Sequence, residues 1–202
     1  MSLPRPYLPA DQRRCVIIEA VVELAAECNP GDITTAAIAE RMGQTQGALF
    51  RHFPNKNAVW EAVMNWVAEN LLRRLDDAER TAASPLQALE ALFMAHVAFV
   101  VRHPGIPRML FGQLQSPGST PATLVARSLL LRYGERLVRL LESGKQTGEI
   151  APDLDAASAA MLYIGSVQGL VMQSLLAGDV ARMQQDAPAL FRQLRRAFEA
   201  RT

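Results

Sequence analysis

The stretch "DITTAAIAERMGQTQGALFRHFPNKNAVW", Asp32 to Trp60, has the pattern of two very short helices around a glycine turn. The first helix is predicted from about Thr35 to Met42, and Gly43 ends it with a turn conformation that residues with a Cβ resist. The second is predicted from about Gln46 to His52, and Pro54 ends it. Two short helices joined in this way form the helix-turn-helix layout, which places its second helix in the major groove of DNA.

The side chains within this stretch support both helices. Thr34 and Thr45 stand at the two N-cap positions, where a hydroxyl oxygen accepts a hydrogen bond from a backbone N–H. Leu49 and Phe53 are four residues apart, so they share a face that can anchor the second helix on the core. Ala39 is small, and we expect the second helix to cross close to the first at this residue.

The polar residues on the remaining face are suited to contacts with DNA. Glutamine amides pair with adenine edges and arginine with guanine, so base contacts are predicted for Gln44, Gln46 and Arg51. Hydroxyl groups, cations and helix starts bind phosphates. The predicted DNA-binding residues are Thr34, Gln44, Thr45, Gln46, Gly47, Arg51, His52 and Lys56. The alternative is that the two helices are core scaffold and that this face is only solvated.

The stretch resembles the DNA-binding signature of the tetracycline-repressor (TetR) family of bacterial regulators. The matching residues are Ile33, Thr34, Ile38, Ala39, Gly43, Thr45, Gly47, Ala48, Leu49, His52, Phe53, Asn55 and Lys56. Two residues depart from the signature. The family usually has Tyr, whose hydroxyl often contacts a phosphate, in place of Phe50, so we expect only a packing role there. An acidic residue usually stands in place of Asn57, and each departure is expected to weaken DNA affinity modestly.

Composition predicts an all-α fold for the rest of the chain. Of the 202 residues, 50% are apolar but only 6% are aromatic, so Leu, Ala, Val and Met must build the core. About nine helices and no strand are predicted. The net charge is only +1, so attraction to DNA requires a local patch. Residues 41–60 contain Arg41, Arg51 and Lys56 and no acidic residue, and they form such a patch.

The helix pattern predicts a small N-terminal module followed by a larger bundle. The predicted divisions are a flexible arm at 1–10, a three-helix helix-turn-helix DNA-binding domain at 11–55, a connecting helix at 56–80, and a ligand-binding and dimerisation domain at 81–202. The last helix is predicted to begin at Pro188 and to end at Arg201. The roles of the bundle follow from the family resemblance, which implies that it dimerises and holds a small ligand.

The bundle contains candidates for both roles. The candidate ligand-pocket residues are Phe93, His96, Phe99, Met109, Phe111, Tyr133, Met161 and Met172. His96 lies in an apolar run and is either a satisfied core histidine or a polar group in the pocket. The candidate dimer-interface residues are Gly165, Gly169, Leu190, Leu194 and Phe198, and the alternative for them is packing within the chain. Methionine-rich cavities adapt to apolar molecules, so an apolar or amphipathic ligand is expected.

Taken together, these features predict a ligand-responsive repressor that binds a near-palindromic operator as a homodimer. The alternative is an activator, or a regulator controlled by a protein partner. No metal-type spacing, nucleophile signature or phosphate-binding glycine loop occurs, so no enzyme, cofactor or metal is expected. Cys15 and Cys28 are expected to be buried free thiols. No run of about 18 apolar residues is found, so we expect no membrane span and a cytoplasmic location.

Overall fold

The computed structural model describes residues 10–114 and 118–200. These residues form nine α-helices and one isolated antiparallel bridge, between Ile150 and Glu199. The helices are α1 Ala10–Glu27, α2 Thr35–Arg41, α3 Gln46–Phe50, α4 Lys56–Thr81, α5 Pro85–Arg102, α6 Gly105–Leu114, α7 Pro121–Thr147, α8 Ala156–Ala177 and α9 Met183–Phe198. The all-α prediction is therefore confirmed. Residues 1–9 of the predicted arm, and Arg201, lie outside the described residues.

The last helix begins five residues earlier than predicted. The sequence places its start at Pro188, but α9 begins at Met183 and contains Pro188. Oδ1 of Asp179 accepts a hydrogen bond from the Arg182 N–H at 3.2 Å, just before the first turn. Met183 and Ala187 are fully buried, so core packing holds the first turns together. This burial outweighs the backbone hydrogen bond that proline cannot donate.

The first of two compact units holds the described residues up to Trp66 together with Gly105–Val125. Its buried apolar residues come from α1 to α4 and α6 and include Ile17, Val21, Ile38, Leu49, Phe53, Val59 and Met109. The contact of α6 with α1 is very close, because a Cβ added to Gly105 would lie 2.4 Å from the Val22 carbonyl oxygen. This contact places α6 in the N-terminal unit, whereas the sequence assigns all of 81–202 to one domain.

The second unit holds Val67–Pro104 and the described residues from Ala126 onward. In this unit α5 packs against α8 and α9. The Phe93 ring lies 5.3 Å from the Tyr163 ring and 5.5 Å from the Phe191 ring, measured between centroids. The Tyr163 hydroxyl donates to the Leu89 carbonyl oxygen at 2.8 Å, which ties α8 to α5 inside the core.

Two of the described helices are apolar enough to pass a length-and-composition test for a membrane span. They are α5, with a mean hydropathy of 1.2, and α8, with 1.4, although neither contains an uninterrupted run of about 18 apolar residues. Leu89, Leu92 and Phe93 of α5 are completely buried in the protein core. Core packing accounts for the hydropathy of α5.

The prediction of buried cysteines is wrong, because the free cysteines Cys15 and Cys28 are both exposed. The buried face of α1 is formed by Ile17, Val21 and their neighbours, and α1 ends at Glu27, before the second cysteine. Among the described residues, no group of three or more His, Cys, Asp or Glu side chains could hold a metal ion.

Candidate DNA-binding surface and effector cluster

Both short helices have a threonine N-cap. Oγ1 of Thr34 accepts a hydrogen bond from the Ala37 N–H at 3.1 Å, and Oγ1 of Thr45 accepts one from the Ala48 N–H at 3.3 Å. Gly43 adopts the left-handed conformation between the helices, with φ of 61°. Each threonine oxygen acts as an acceptor in its cap, so each hydroxyl proton can still be donated to a phosphate.

The second helix, α3, is anchored on the core by apolar side chains, and an arginine of α1 contacts the residues that follow its C-terminal end. Leu49 and Phe53 are buried, as predicted from their spacing. Nη1 of Arg14, on α1, donates to the His52 carbonyl oxygen at 3.1 Å. The Arg14 guanidinium also lies 4.4 Å from the centroid of the Phe53 ring. The role of Arg14 could not be predicted from the sequence, because this contact spans 38 residues and has no local signal.

The basic patch contains fewer available cations than the sequence suggests. The Arg41 guanidinium forms a two-bond ion pair with Glu27 and lies 3.5 Å from a carboxylate oxygen of Glu23. The hydrogen bond from Arg41 lowers the pKa of Glu27 below its ordinary value. Arg41 therefore joins α2 to α1, and Arg51 and Lys56 supply the positive charge of the patch.

Lys56 is held at the first residue of α4. Its Nζ donates to the Gly31 carbonyl oxygen at 3.1 Å and lies 5.2 Å from the centroid of the Trp60 ring. An ammonium group has three donors. Lys56 can therefore keep its contact with Gly31 and still donate to a phosphate.

The predicted DNA-binding residues lie at the surface of the first unit. Six of them are exposed, namely Thr34, Gln44, Thr45, Gln46, Gly47 and Arg51, while His52 and Lys56 are half-buried. Arg51 forms no ion pair among the described residues. Phe50 is 46% exposed, which argues against the packing role expected for it.

We expect Gly47→Ala to separate folding from DNA binding. A Cβ at Gly47 would have only Thr45 Oγ1 nearby, at 3.9 Å, so the fold leaves room for it. The free energy of unfolding should stay unchanged or rise by less than about 1 kcal/mol. DNA affinity should fall about tenfold, because the methyl group would intrude between α3 and the groove. Urea unfolding and fluorescence anisotropy with labelled duplex measure the two effects.

Gly134→Ala is the matched control, because Gly134 on α7 also has open space around its Cβ position. It should leave DNA affinity unchanged. Equal DNA affinity for wild type and Gly47→Ala would contradict the close approach of α3 to DNA.

The second unit contains a buried cluster of rings with unsatisfied polar atoms. The His96 and Tyr133 rings lie 5.5 Å apart, and the Tyr133 and Tyr163 rings 6.2 Å apart, between centroids. Nδ1 of His96 and the Tyr133 hydroxyl are buried and have no hydrogen-bond partner among the described residues. Burial lowers the pKa of His96 to about 4 and raises the pKa of the Tyr133 phenol. Both groups are therefore uncharged at neutral pH.

The structure does not bring the eight pocket candidates together. Phe93, His96 and Tyr133 share this ring cluster with Tyr163, and Phe99 is buried in the same unit with its ring 5.8 Å from the Arg74 guanidinium. The other four lie elsewhere: Met109 and Phe111 on α6 in the first unit, and Met161 and Met172 on the exposed face of α8. The two methionines face outward because residues one and two places away, such as Ala160 and Val171, fill the buried face.

Burial of His96 should make the fold less stable in acid. The unfolded chain binds a proton near pH 6.5 and the folded chain only near pH 4, so the unfolded state takes up more protons between these values. The contribution of His96 to the free energy of unfolding is fully present above about pH 6.5. It is lost as the pH drops towards 4, by up to about 3 kcal/mol.

Urea unfolding of wild type and His96→Gln at pH 7, 5.5 and 4.5 measures this loss. The variant should lose less stability than wild type over this range. The lowered pKa of His103, caused by burial and by Arg102 and Arg74, acts in the same direction and is common to both proteins. Equal losses in the two proteins would contradict the buried, neutral state of His96.

One stripe of α8 is apolar and exposed, apart from the half-buried Gly169. At 3.6 residues per turn, it falls within an arc of about 100°. Its members are Met161, Leu162, Gly165, Gly169, Met172 and Leu176, which we call the α8 stripe. A Cβ at Gly165 or Gly169 would meet nothing within 4 Å. Of the other interface candidates, Leu190 is half-buried, and Leu194 and Phe198 are buried within their own unit.

Comparison with known proteins matches two parts of the chain to family models. Residues 17–63 match the model described as "Bacterial regulatory proteins, tetR family". Residues 120–190 match "Tetracyclin repressor-like, C-terminal domain". Together the two models cover more than half of the 202 residues.

Among curated relatives, the nucleoid occlusion factor SlmA of Aliivibrio fischeri (strain MJ11) is 27% identical over 171 residues, which cover 84% of this chain and 85% of the relative. SlmA of Marinomonas sp. (strain MWYL1) is 24% identical over 162 residues, which cover 80% of this chain and 82% of the relative.

Solved structures share the fold at lower sequence identity. FadR of Bacillus subtilis, solved in complex with stearoyl-CoA, superposes with a TM-score of 0.78 at 19% identity over 89% of this chain and 96% of its own. The ketosteroid regulator KstR2 of Mycobacterium tuberculosis superposes with a TM-score of 0.75 at 20% identity over 94% and 96%.

Proposed function

Because the chain belongs to the tetracycline-repressor (TetR) family of bacterial regulatory proteins, we propose that it is a ligand-responsive transcriptional repressor. The ligand-free homodimer binds a near-palindromic operator, and a small apolar or amphipathic ligand releases it. The proposal assigns the chain no catalytic step. It places the protein in the cytoplasm, where bacterial regulators meet their DNA.

The observation that carries the proposal is the exposed face of α3. This helix is capped by Thr45 and anchored by its buried Leu49 and by buried Phe53 just beyond its end. Gln46 on the helix and Arg51 at its C-cap are exposed to solvent. Amide and guanidinium groups on such a helix can bond adenine and guanine edges in the major groove. Lys56, at the start of the next helix, supplies a phosphate contact that sets the register of the helix on the duplex.

Dimerisation through the α8 stripe supplies a second recognition helix, so that the dimer contacts two DNA half-sites. Its two glycines leave room for a second helix to approach closely, and its exposed methionine and leucine side chains provide apolar area to bury. In a two-fold dimer, the two recognition helices meet half-sites about 34–36 Å apart, one turn of DNA. An operator that matches this symmetry is a near-palindrome.

The ring cluster of the second unit is the proposed effector site. His96 Nδ1 and the Tyr133 hydroxyl are uncharged polar atoms among aromatic rings, and neither has a hydrogen-bond partner in the described part of the chain. They suit a mostly apolar molecule with one uncharged polar group that satisfies them. The effector releases DNA only if it binds one arrangement of the dimer more tightly than the other. The proposed lever is α4, which contributes residues to both units.

The test is a salt titration of binding to the DNA immediately upstream of the coding region. The logarithm of the affinity should fall linearly with the logarithm of salt concentration, with a slope of about 0.9 per phosphate contact. Lys56→Ala should make the slope shallower by about one contact per protomer. The only other lysine, Lys145, pairs with Glu142 on α7, so Lys145→Ala is the matched control and should leave the slope unchanged.

Two outcomes would overturn parts of this proposal. If neither the upstream DNA nor a random duplex pool binds at low salt, the DNA-binding function fails. If the protein binds DNA but raises transcription of the neighbouring genes, the alternative of an activator replaces the repressor.

A further inference from the structure

Phe50 is an exposed aromatic residue at the C-terminal end of α3. Two other large apolar side chains of this segment, Leu49 and Phe53, are buried and anchor the helix. Phe50 is 46% exposed and forms no part of the core. An exposed phenyl ring forgoes the hydrophobic stabilisation of burial. A binding partner that covers the ring would recover it.

The ring lies on the polar face of α3, between Gln46 and Gly47 around the helix axis. With 3.6 residues per turn, Phe50 is displaced from Gln46 by about 40° around the helix axis. Gly47 and Arg51 lie farther round on the same side, and all three neighbours are exposed. Gly47 has no side chain to shield the ring, and the nearest atom to its Cβ position is Thr45 Oγ1 at 3.9 Å. Phe50 therefore projects from the face that the proposed function directs towards DNA.

A phenyl ring has no group that can donate to a phosphate or pair with a polar base edge. In the major groove, the base edges offer one apolar group, the 5-methyl group of thymine. Gln46, one turn before Phe50 on the same face, carries the amide that pairs with adenine. The two neighbouring side chains thus suit the two bases of A·T pairs.

We propose that Phe50 contacts a thymine methyl group in each half-site and makes operator binding prefer thymine at that position. The inference rests on the proposed DNA-binding function and deepens it by naming a specificity-determining residue. It also replaces the packing role expected from the sequence. The tyrosine usual in the family has a hydroxyl for a phosphate, whereas this ring serves a base contact.

The experiment uses the full-length protein and a duplex selected by it from a random pool. Each thymine of the selected duplex is replaced in turn by deoxyuridine, which lacks only the methyl group. For wild type, one position per half-site should be sensitive. Affinity should fall about fourfold for one half-site and about fifteenfold for both. Fluorescence anisotropy measures each dissociation constant.

Two variants assign the sensitivity to the ring. Phe50→Ala should bind thymine and deoxyuridine duplexes equally at that position, because the methyl group loses its partner. Phe50→Tyr keeps the ring and should keep the sensitivity. Circular dichroism checks that both variants are folded, which is expected because Phe50 lies outside the core.

The result that overturns the inference is wild-type binding that changes less than twofold at every deoxyuridine position. Retained methyl sensitivity in Phe50→Ala would overturn it equally and would assign the contact to another residue. In both cases the protein still binds the duplex, so the proposed function stands. Failure to select any duplex would instead overturn the proposed function.

Discussion

Replacing Met172 and Leu176 together by Glu is expected to convert the dimer into monomers and to lower operator affinity at least about 100-fold. The two side chains lie one turn apart on the α8 stripe and are 42% and 80% exposed in the single chain. In the proposed dimer they would be buried against the partner, where an unpaired carboxylate costs several kcal/mol. In a monomer, each recognition helix binds its half-site alone. Binding at one half-site then no longer raises the effective concentration of a recognition helix at the other.

A matched pair of exposed leucines on another helix provides the control. Leu130 and Leu131 of α7 are 47% and 67% exposed and lie outside the α8 stripe. Their joint replacement by Glu should leave a dimer that binds the operator normally. Analytical ultracentrifugation gives the oligomeric state and fluorescence anisotropy the affinity. A dimeric Met172→Glu/Leu176→Glu protein would place the interface on a different surface.

Gly105→Ala is expected to destabilise the fold by about 3 kcal/mol and to lower Tm by about 6–12 °C. The new Cβ would lie 2.4 Å from the Val22 carbonyl oxygen, 2.7 Å from the Ala26 nitrogen and 2.8 Å from the Ala25 carbonyl carbon. All three are backbone atoms of α1, so no side-chain rotation can relieve the clash. The start of α6 must then move away from α1 and expose apolar surface.

Gly112→Ala, on the same helix, is the control for Gly105→Ala. A Cβ at Gly112 meets nothing within 4 Å, so the substitution should stabilise α6 by about 0.5–1 kcal/mol through its backbone preference. Thermal and urea unfolding of the two variants measure the difference. If Gly105→Ala were as stable as Gly112→Ala, the tight packing of α6 on α1 would be wrong.

Several local features of the DNA-binding unit could be predicted because neighbouring residues determine them. Thr34, Gly43 and Thr45 act through hydrogen bonds and backbone angles within a few residues, and the structure has them as expected. The spacing of Leu49 and Phe53 likewise indicated which face of α3 is buried. The start of α9 could not be predicted in this way, because burial of Met183 outweighs the local signal of Pro188.

The sequence by itself determined the helical class, the order of the helices and the helix-turn-helix pattern, because caps, glycine turns and apolar spacing are local. Only the tertiary structure decided which side chains remain available. In the folded chain Arg41 is ion-paired with Glu27 of α1, and Met161, Met172 and Phe50 are exposed. Apolar residues look alike in a sequence whether they face the core, a partner or DNA. Local spacing shows which apolar residues share a face, but helices distant in the chain decide whether that face meets the core, a partner or DNA.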